Sequence, residues 1–237
     1  MTSNDNKPVA LITGVGPGTG SALVRRFVAG GYRVAMLARD ASRLAALEAE
    51  LPDARAFACD VSDSAAVEAV LARIRAELGN PAVLIHNAVA GGRASFLDMD
   101  PSLLERGFQV NVMALLHLAR ALAPDMIAAG TGAIIVTGNT SSQRGRAPFA
   151  GLAPTKAAQR ILCESMAREL GPQGVHVAYV VIDAVIDVPW TRRAFAAQPD
   201  SFFMQPAAIA DEVWHLAHQD RSAWSFLHEL RPFGETW

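Results

Sequence analysis

The stretch Pro8–Gly20, Pro-Val-Ala-Leu-Ile-Thr-Gly-Val-Gly-Pro-Gly-Thr-Gly, constrains this chain more than any other. Val9 to Ile12 is a short apolar run that reads as a fully buried strand. Gly14, Gly16, Gly18 and Gly20, with Pro17 among them, then let the backbone turn tightly, and Leu23, Val24, Phe27 and Val28 follow on one face of a helix. In a strand–glycine turn–helix unit the helix N-terminus offers unpaired N–H groups and the positive end of its dipole to a phosphate. Without side chains, the glycines allow the main chain to approach a pyrophosphate closely. Gly16-Pro-Gly-Thr-Gly fits G-x-G-x-x-G poorly, whereas Thr13-Gly-x-x-x-Gly18-x-Gly20 has the spacing of another dinucleotide-binding group. A plain strand-to-helix connection is the bland alternative. The unit's place at the front of an α/β pattern favours nucleotide binding.

That pattern continues along the chain. Strands are expected at Arg33–Leu37, Ala54–Ala58, Pro81–His86, Ala133–Thr137, Val175–Ile182 and around Trp224–Leu230. Between them lie helices: one capped by Asp40, one starting at Ser62, a long one from Asp100-Pro101 to about Ala123, where Pro124 can kink or divide it, and one after Pro154. A last helix runs from Pro206, and the segment 189–205 reads as irregular. Alternation of strands and helices predicts an α/β fold: a single-domain, Rossmann-type doubly wound parallel sheet with helices on both faces. At 237 residues, 51% hydrophobic and 19% charged, the chain suits one globular domain. A net charge of −2 and the lack of a Lys/Arg cluster argue against nucleic acid. Polar residues Met1–Lys7 and no apolar run approaching about 18 residues lead to an expectation of a cytoplasmic protein without membrane attachment. Cys59 and Cys163 form no CxxC and read as reduced core residues. His215 and His218 lack a third ligand nearby, so no metal site is expected.

Five features together resemble the short-chain dehydrogenase/reductase family: Thr13-Gly-x-x-x-Gly18-x-Gly20, Asp60-Val61 after strand three, Asn87-Ala88 after strand four, Asn111 in the long helix, and Lys156. The resemblance implies that Thr13, Gly14, Gly16, Gly18, Thr19 and Gly20 form the turn under a pyrophosphate. It sets Asp60 and Val61 against adenine, and Asn87 and Ala88 beside the adjoining ribose. Lys156 would hold the nicotinamide ribose, with Ile182 near the nicotinamide. Where NAD-preferring members carry an acid, this chain has Ala38 followed by Arg39, an arrangement suited to a 2′-phosphate. Asp40 is the competing ribose acid but is better placed as a helix cap. NADP(H) is therefore favoured over NAD(H). A homodimer or homotetramer through the helices near Pro101 and Pro154 is also implied, with Phe233 and Trp237 suited to docking on a neighbour.

The departures lie on the reacting side. Four residues before Lys156, where the family's proton-exchanging tyrosine belongs, stands Leu152; Asn139 takes the place of the serine, although a one-residue slip would supply Thr140. Tyr32 and Tyr179, the only tyrosines, are expected in strands remote from the spot. Ile182-Asp183 replaces Pro-Gly after strand six, and Asn87-Ala88-Val89 replaces Asn-Ala-Gly. Candidate catalytic residues are Asn111, Asn139, Lys156 and Asp183, with Asp187 as a further proton carrier; each has a structural alternative, Asn139 as a turn residue and the aspartates as caps. The segment 188–205, with Trp190, Phe195, Phe202 and Phe203, is a substrate lid or a subunit contact. Three readings follow: an oxidoreductase acting on a small organic substrate with a non-standard site, a non-redox enzyme such as an isomerase, lyase or cyclase, or a nucleotide-binding protein without turnover.

Overall fold

Along each central strand, successive side chains enter two different cores. In β1 (Val9–Thr13), Val9 and Leu11 face one side of the sheet while Ala10 and Ile12 face the other, the alternation a pleated strand imposes. The computed structural model describes residues 7–235. After β1 come α1 (Thr19–Ala29), β2 (Arg33–Ala38), α2 (Ala41–Glu50), β3 (Ala54–Ala58), α3 (Ser64–Leu78) and β4 (Pro81–His86). The helical run α4 (Pro101–Phe108), a wide π turn (Gln109–Met113) and α5 (Ala114–Ala128) leads to β5 (Gly132–Asn139), α6 (Ala153–Leu170) and β6 (Val175–Ile182). Short elements β7 (Val185–Ile186), α7 (Pro189–Ala194) and β8 (Phe203–Met204) precede α8 (Pro206–Ala217) and β9 (Leu227–Leu230).

The main sheet has the order β3-β2-β1-β4-β5-β6-β9, and every pairing in it is parallel. Chain order reverses between β1 and β4, so the crevice beyond their carboxyl ends is where ligands bind in open α/β sheets. Helices α3, α5 and α6 cover one face through Val70, Ile74, Leu118, Leu122 and Cys163; α1, α2 and α8 cover the other through Leu23, Phe27, Leu44, Ile209 and Val213. This is the one-domain, doubly wound α/β fold expected.

Several local readings are corrected. Helix α3 is capped by Asp63, whose carboxylate accepts from the N–H groups of Ala65 and Ala66, so it starts one cap later than Ser62. The long helix passes Pro124 without dividing and ends at Ala128; Arg75 from α3 donates to the carbonyl of Ala121 (2.6 Å) and to Asp125 (2.9 Å), satisfying polar groups in the turn beside the proline. An 18-residue window of this run, Pro101–Ala128, has a mean hydropathy of 1.3, so by length and composition alone it could cross a membrane, contrary to the sequence reading. Leu115, Leu118, Leu122 and Met126 are nonetheless buried against the sheet, as in a core helix. The segment after β6 is ordered by α7 and a two-stranded parallel β7–β8 pair rather than being irregular. The last strand begins at Leu227, three residues later than Trp224.

Candidate nucleotide-binding and active site

A cleft of about 640 Å³ opens at the carboxyl ends of β1, β2, β3 and β4, lined among others by Gly14, Gly16, Arg39, Asp60, Val61 and Ala88. Gly14 has φ +67°, and a Cβ there would lie 2.6 Å from the Ala88 backbone, so only glycine lets the first turn pass the end of β4. A Cβ on Gly20 would meet the Gly14 carbonyl at 2.5 Å, which fixes how closely α1 packs on the turn. Gly16, in contrast, borders open space, with no neighbour nearer than the Gly14 oxygen at 4.0 Å. Thr19, the first residue of α1, has a buried hydroxyl with no hydrogen-bond partner. An open glycine backbone beside an unpartnered hydroxyl at a helix N-terminus fits a phosphate group.

Asp40 caps α2 by accepting from the N–H of Arg43 and from the Ser42 hydroxyl, and it pairs with the Arg43 guanidinium at 3.1 Å. Asp60 accepts from the N–H and hydroxyl of Ser62 (3.0 and 2.7 Å); these bonds, with the nearby Arg39 charge, hold its carboxyl below the usual range. Arg39 is exposed at the cleft edge and forms no ion pair among the described residues. Thr13 and His86 make the floor. The His86 Nε2–H donates to the Val110 carbonyl (3.1 Å), so Nδ1 accepts from the Thr13 hydroxyl (3.1 Å), whose oxygen in turn accepts from the N–H groups of Asn87 and Ala88, both at 3.2 Å. Burial, then the Lys156 charge, pushes the His86 pKa down to about 3. The Asn87 amide donates to the Gly14 carbonyl (2.9 Å) and accepts from the Thr137 hydroxyl (3.0 Å), tying β1 to β5.

The side chains around Lys156 form a closed polar network. Lys156 is 2% exposed, and its Nζ donates to the Thr137 carbonyl (3.2 Å) and to Gln159 Oε1 (2.9 Å). Burial lowers its pKa to about 8. Gln159 Nε2 donates to the Asn111 carbonyl at 2.6 Å. The Asn111 amide closes on both polar backbone groups of Ala90 (3.0 and 2.8 Å) and on the Thr155 hydroxyl (2.8 Å). Val110 and Asn111 both lie in the π turn, and both of their carbonyls accept from side chains outside the helix. Leu152 caps α6 without a side-chain bond and packs toward Gly91, where a Cβ would come within 3.1 Å of its Cδ1.

A model of the short chain dehydrogenase family matches residues 8–198. The chain belongs to the short-chain dehydrogenase family. Among curated relatives, a D-erythrulose reductase from Gallus gallus is 36% identical over 71% of this chain and 67% of its own length, and carbonyl reductase [NADPH] 2 from Sus scrofa is 33% identical over 71% and 68%. A metagenomic short-chain oxidoreductase solved in complex with NADP is 32% identical and superposes with a TM-score of 0.83, covering 97% of this chain and 99% of that one. The family relatives support an enzyme of the oxidoreductase type.

Within this short-chain dehydrogenase several candidates find other partners. The Asn139 side chain accepts from the Ser141 N–H at 3.1 Å and caps the 3₁₀ turn Thr140–Ser142, the turn role its residue type allows. Asp183 lies 3.4 Å from Arg231 and 4.0 Å from Arg144, and its N–H bonds the Leu230 carbonyl, fastening β6 to the end of β9. Ile182 is the last, buried residue of β6, paired with Asn139 and Leu230. Arg192 grips both oxygens of Asp187 (2.6 and 2.7 Å) and Gln205 adds a third bond (2.7 Å), so Asp187 is pushed down to about 2 and stays ionised rather than carrying a proton. Val188 sits on Gly18, whose Cβ would fall 2.7 Å from a Val188 methyl; the segment after β6 thus rests on the glycine turn. His218 is committed to the Tyr32 hydroxyl (3.0 Å) and the Trp214 carbonyl (2.7 Å).

The tyrosine expectation needs correction on both residues. Tyr32 precedes β2 instead of lying in a strand. Tyr179 is on β6, but its hydroxyl lies 3.5 Å from the Lys156 carbonyl and 3.5 Å from Gln159 Oε1, close beneath the lysine. It is fully buried under Gly138, where a Cβ would come within 2.1 Å of the hydroxyl, and burial pushes its pKa up. Gln159 was missed from the sequence. Its spacing three residues after Lys156 on one helix was the signal available. Trp237 lies outside the described residues.

Proposed function

We propose that this protein is an NADP(H)-dependent oxidoreductase acting on a small organic substrate, with a non-standard active site. The observation that carries the cofactor reading is the cleft edge at the end of β2. Arg39 and Arg43 line it, while Asp40, the acid that could hold a ribose 2′-OH, is committed to capping α2 and to Arg43. The adenosine end would be held by Gly16, Thr19, Arg39, Asp60 and Val61. Bound NADPH supplies a hydride; this chain's residues bind and orient it and hold one cation, Lys156, beneath the reacting side. Relatives that carry NADPH in their name or NADP in their structure support the same preference.

Leu152 cannot exchange a proton, and a positioned acid contributes about 10²–10⁴ in rate. The reading therefore favours substrates that need no strong acid, such as an iminium, an activated alkene or a quinone-like ring. One observation favours a second reading, nucleotide binding without redox turnover. The lining of the cleft includes Ala90 and Val110 but not Lys156, Asn139 or Leu152. Calorimetry tests the cofactor reading. NADPH is expected to bind at least about tenfold more tightly than NADH, and Arg39→Ala to erase most of that difference, a loss of about 1.5–3 kcal/mol for a charge-assisted bond. Equal affinity for both nucleotides in the unaltered protein counts against it. NADPH fluorescence lost on adding substrates of the named classes selects the first reading; no loss with any of them selects the second. Assembly as a homodimer or homotetramer and a cytoplasmic location complete the proposal, the first read by light scattering on the purified chain.

A further inference from the structure

Beyond the cofactor reading, we propose that Gln159 is a positioning residue that keeps the buried Lys156 ammonium charged and leaves it one hydrogen to offer a ligand. Nζ has three hydrogens, and two are committed, to the Thr137 carbonyl and to Gln159 Oε1. The direction of the amide is fixed from its other end. The Asn111 carbonyl only accepts, so Nε2 must face it at 2.6 Å and Oε1 must face the ammonium. The π turn makes that carbonyl available, and α6 places Lys156 and Gln159 three residues apart on one face. With exposures of 2% and 0%, neither side chain meets bulk water that could replace a lost partner.

The titratable groups around the ammonium carry no negative charge to hold it. His86 on β4 is kept neutral by burial, and burial also raises the Cys163 thiol on α6 and the Tyr179 phenol on β6. Two neutral dipoles therefore stabilise the cation, against a burial that lowers its pKa to about 8. Removing one dipole should neutralise the lysine at lower pH, and replacing it by a carboxylate should do the reverse. What the remaining hydrogen contacts rests on the nucleotide reading; the ionisation does not.

The chain offers an unusually clean test, because its only lysines are Lys7 and Lys156. Protein labelled with ¹³C-lysine gives two side-chain Cε signals, assigned with Lys7→Arg, and both are titrated without nucleotide. The Lys156 midpoint is expected near 8. It should fall by about one pH unit or more in Gln159→Leu and rise by a similar amount in Gln159→Glu, with Lys7 unmoved. A purely structural role would lower the melting temperature and leave the midpoint in place. An unshifted midpoint in the folded variants overturns the proposal, and should Gln159→Leu fail to fold, Gln159→Glu decides alone. NADPH calorimetry on the same samples keeps the two ideas apart: no binding by the unaltered protein sinks the nucleotide reading and leaves the midpoint result standing.

Discussion

His86 shows how one buried side chain couples the floor of the cleft to pH. Its imidazole bridges Thr13 on β1 and Val110 in the π turn, and it is fully buried and neutral. The folded pKa of about 3 lies far below the unfolded value of about 6.5. Above 6.5 the residue is neutral in both states. As pH falls through 6.5 toward 3, the unfolded imidazole takes up a proton that the folded one refuses. Stability should therefore drop with acid in that window, by about 1.4 kcal/mol per pH unit from this group. Urea unfolding between about pH 7 and 4 should show a shallower acid loss in His86→Gln than in the unaltered protein. His176, whose pKa burial also lowers, acts in the same direction, so the slope is reduced but not abolished. An identical slope in both proteins removes His86 from the account. Legibility at this scale was uneven. The glycine positions were readable because backbone conformation and close approach leave few residue choices. The partners of Asn139, Asp183 and Gln159 were not, because they are set by neighbouring strands and helices that a local pattern does not reveal.

At the scale of elements, the β7–α7–β8 segment is held less by core than by ions and its own rings. Arg192 joins Asp187 and Asp200 and lies 4.0 Å over the Phe203 ring, while Phe202 packs on Phe195 and Phe203. Only Val188, Phe203 and Met204 in it are buried hydrophobics. A solvent-screened ion pair of this kind contributes little to global stability. Its local effect is larger, since it pins the strand whose Asp187 N–H bonds the Met204 carbonyl. Arg192→Ala is thus expected to raise hydrogen exchange at Asp187 by about tenfold or more while leaving global stability nearly unchanged. Exchange unchanged at that amide would show that the segment stands on its apolar contacts alone. The sequence revealed the aromatics here but not the pairing of β7 with β8, because two-residue strands are too short to carry a periodic signal. Longer helices were legible from their apolar stripes. The passage of α5 through Pro124 was not, since it accompanies an arginine arriving from α3.

For the whole molecule, the sheet separates an open half, at the ends of β1 to β4, from a closed polar half around Lys156. Strands β1 to β4 end on an open cleft, and at the start of α1 the buried Thr19 hydroxyl has no hydrogen-bond partner. Beyond β4 and β5, Leu152 packs toward Gly91, Asn139 caps a turn, and Lys156 is tied to Thr137 and Gln159. These contacts support one another, so a single tyrosine placed at 152 is not expected to act as a well-positioned general acid. A tyrosine at 152 would need the space in which Leu152 meets the Gly91 loop, and it would find a lysine with two hydrogens already committed. Leu152→Tyr is accordingly expected to keep NADPH affinity and to raise the reduction of reactive ketones by less than about 10²-fold, below the range a positioned general acid supplies. NADPH oxidation followed by absorbance across a ketone panel measures this, with the rate compared to the unaltered protein. A gain of about 10⁴ from that one substitution would mean that a tyrosine at 152 is positioned for proton transfer despite these contacts, and the obstruction assigned to the Gly91 loop and to the committed lysine would be refuted.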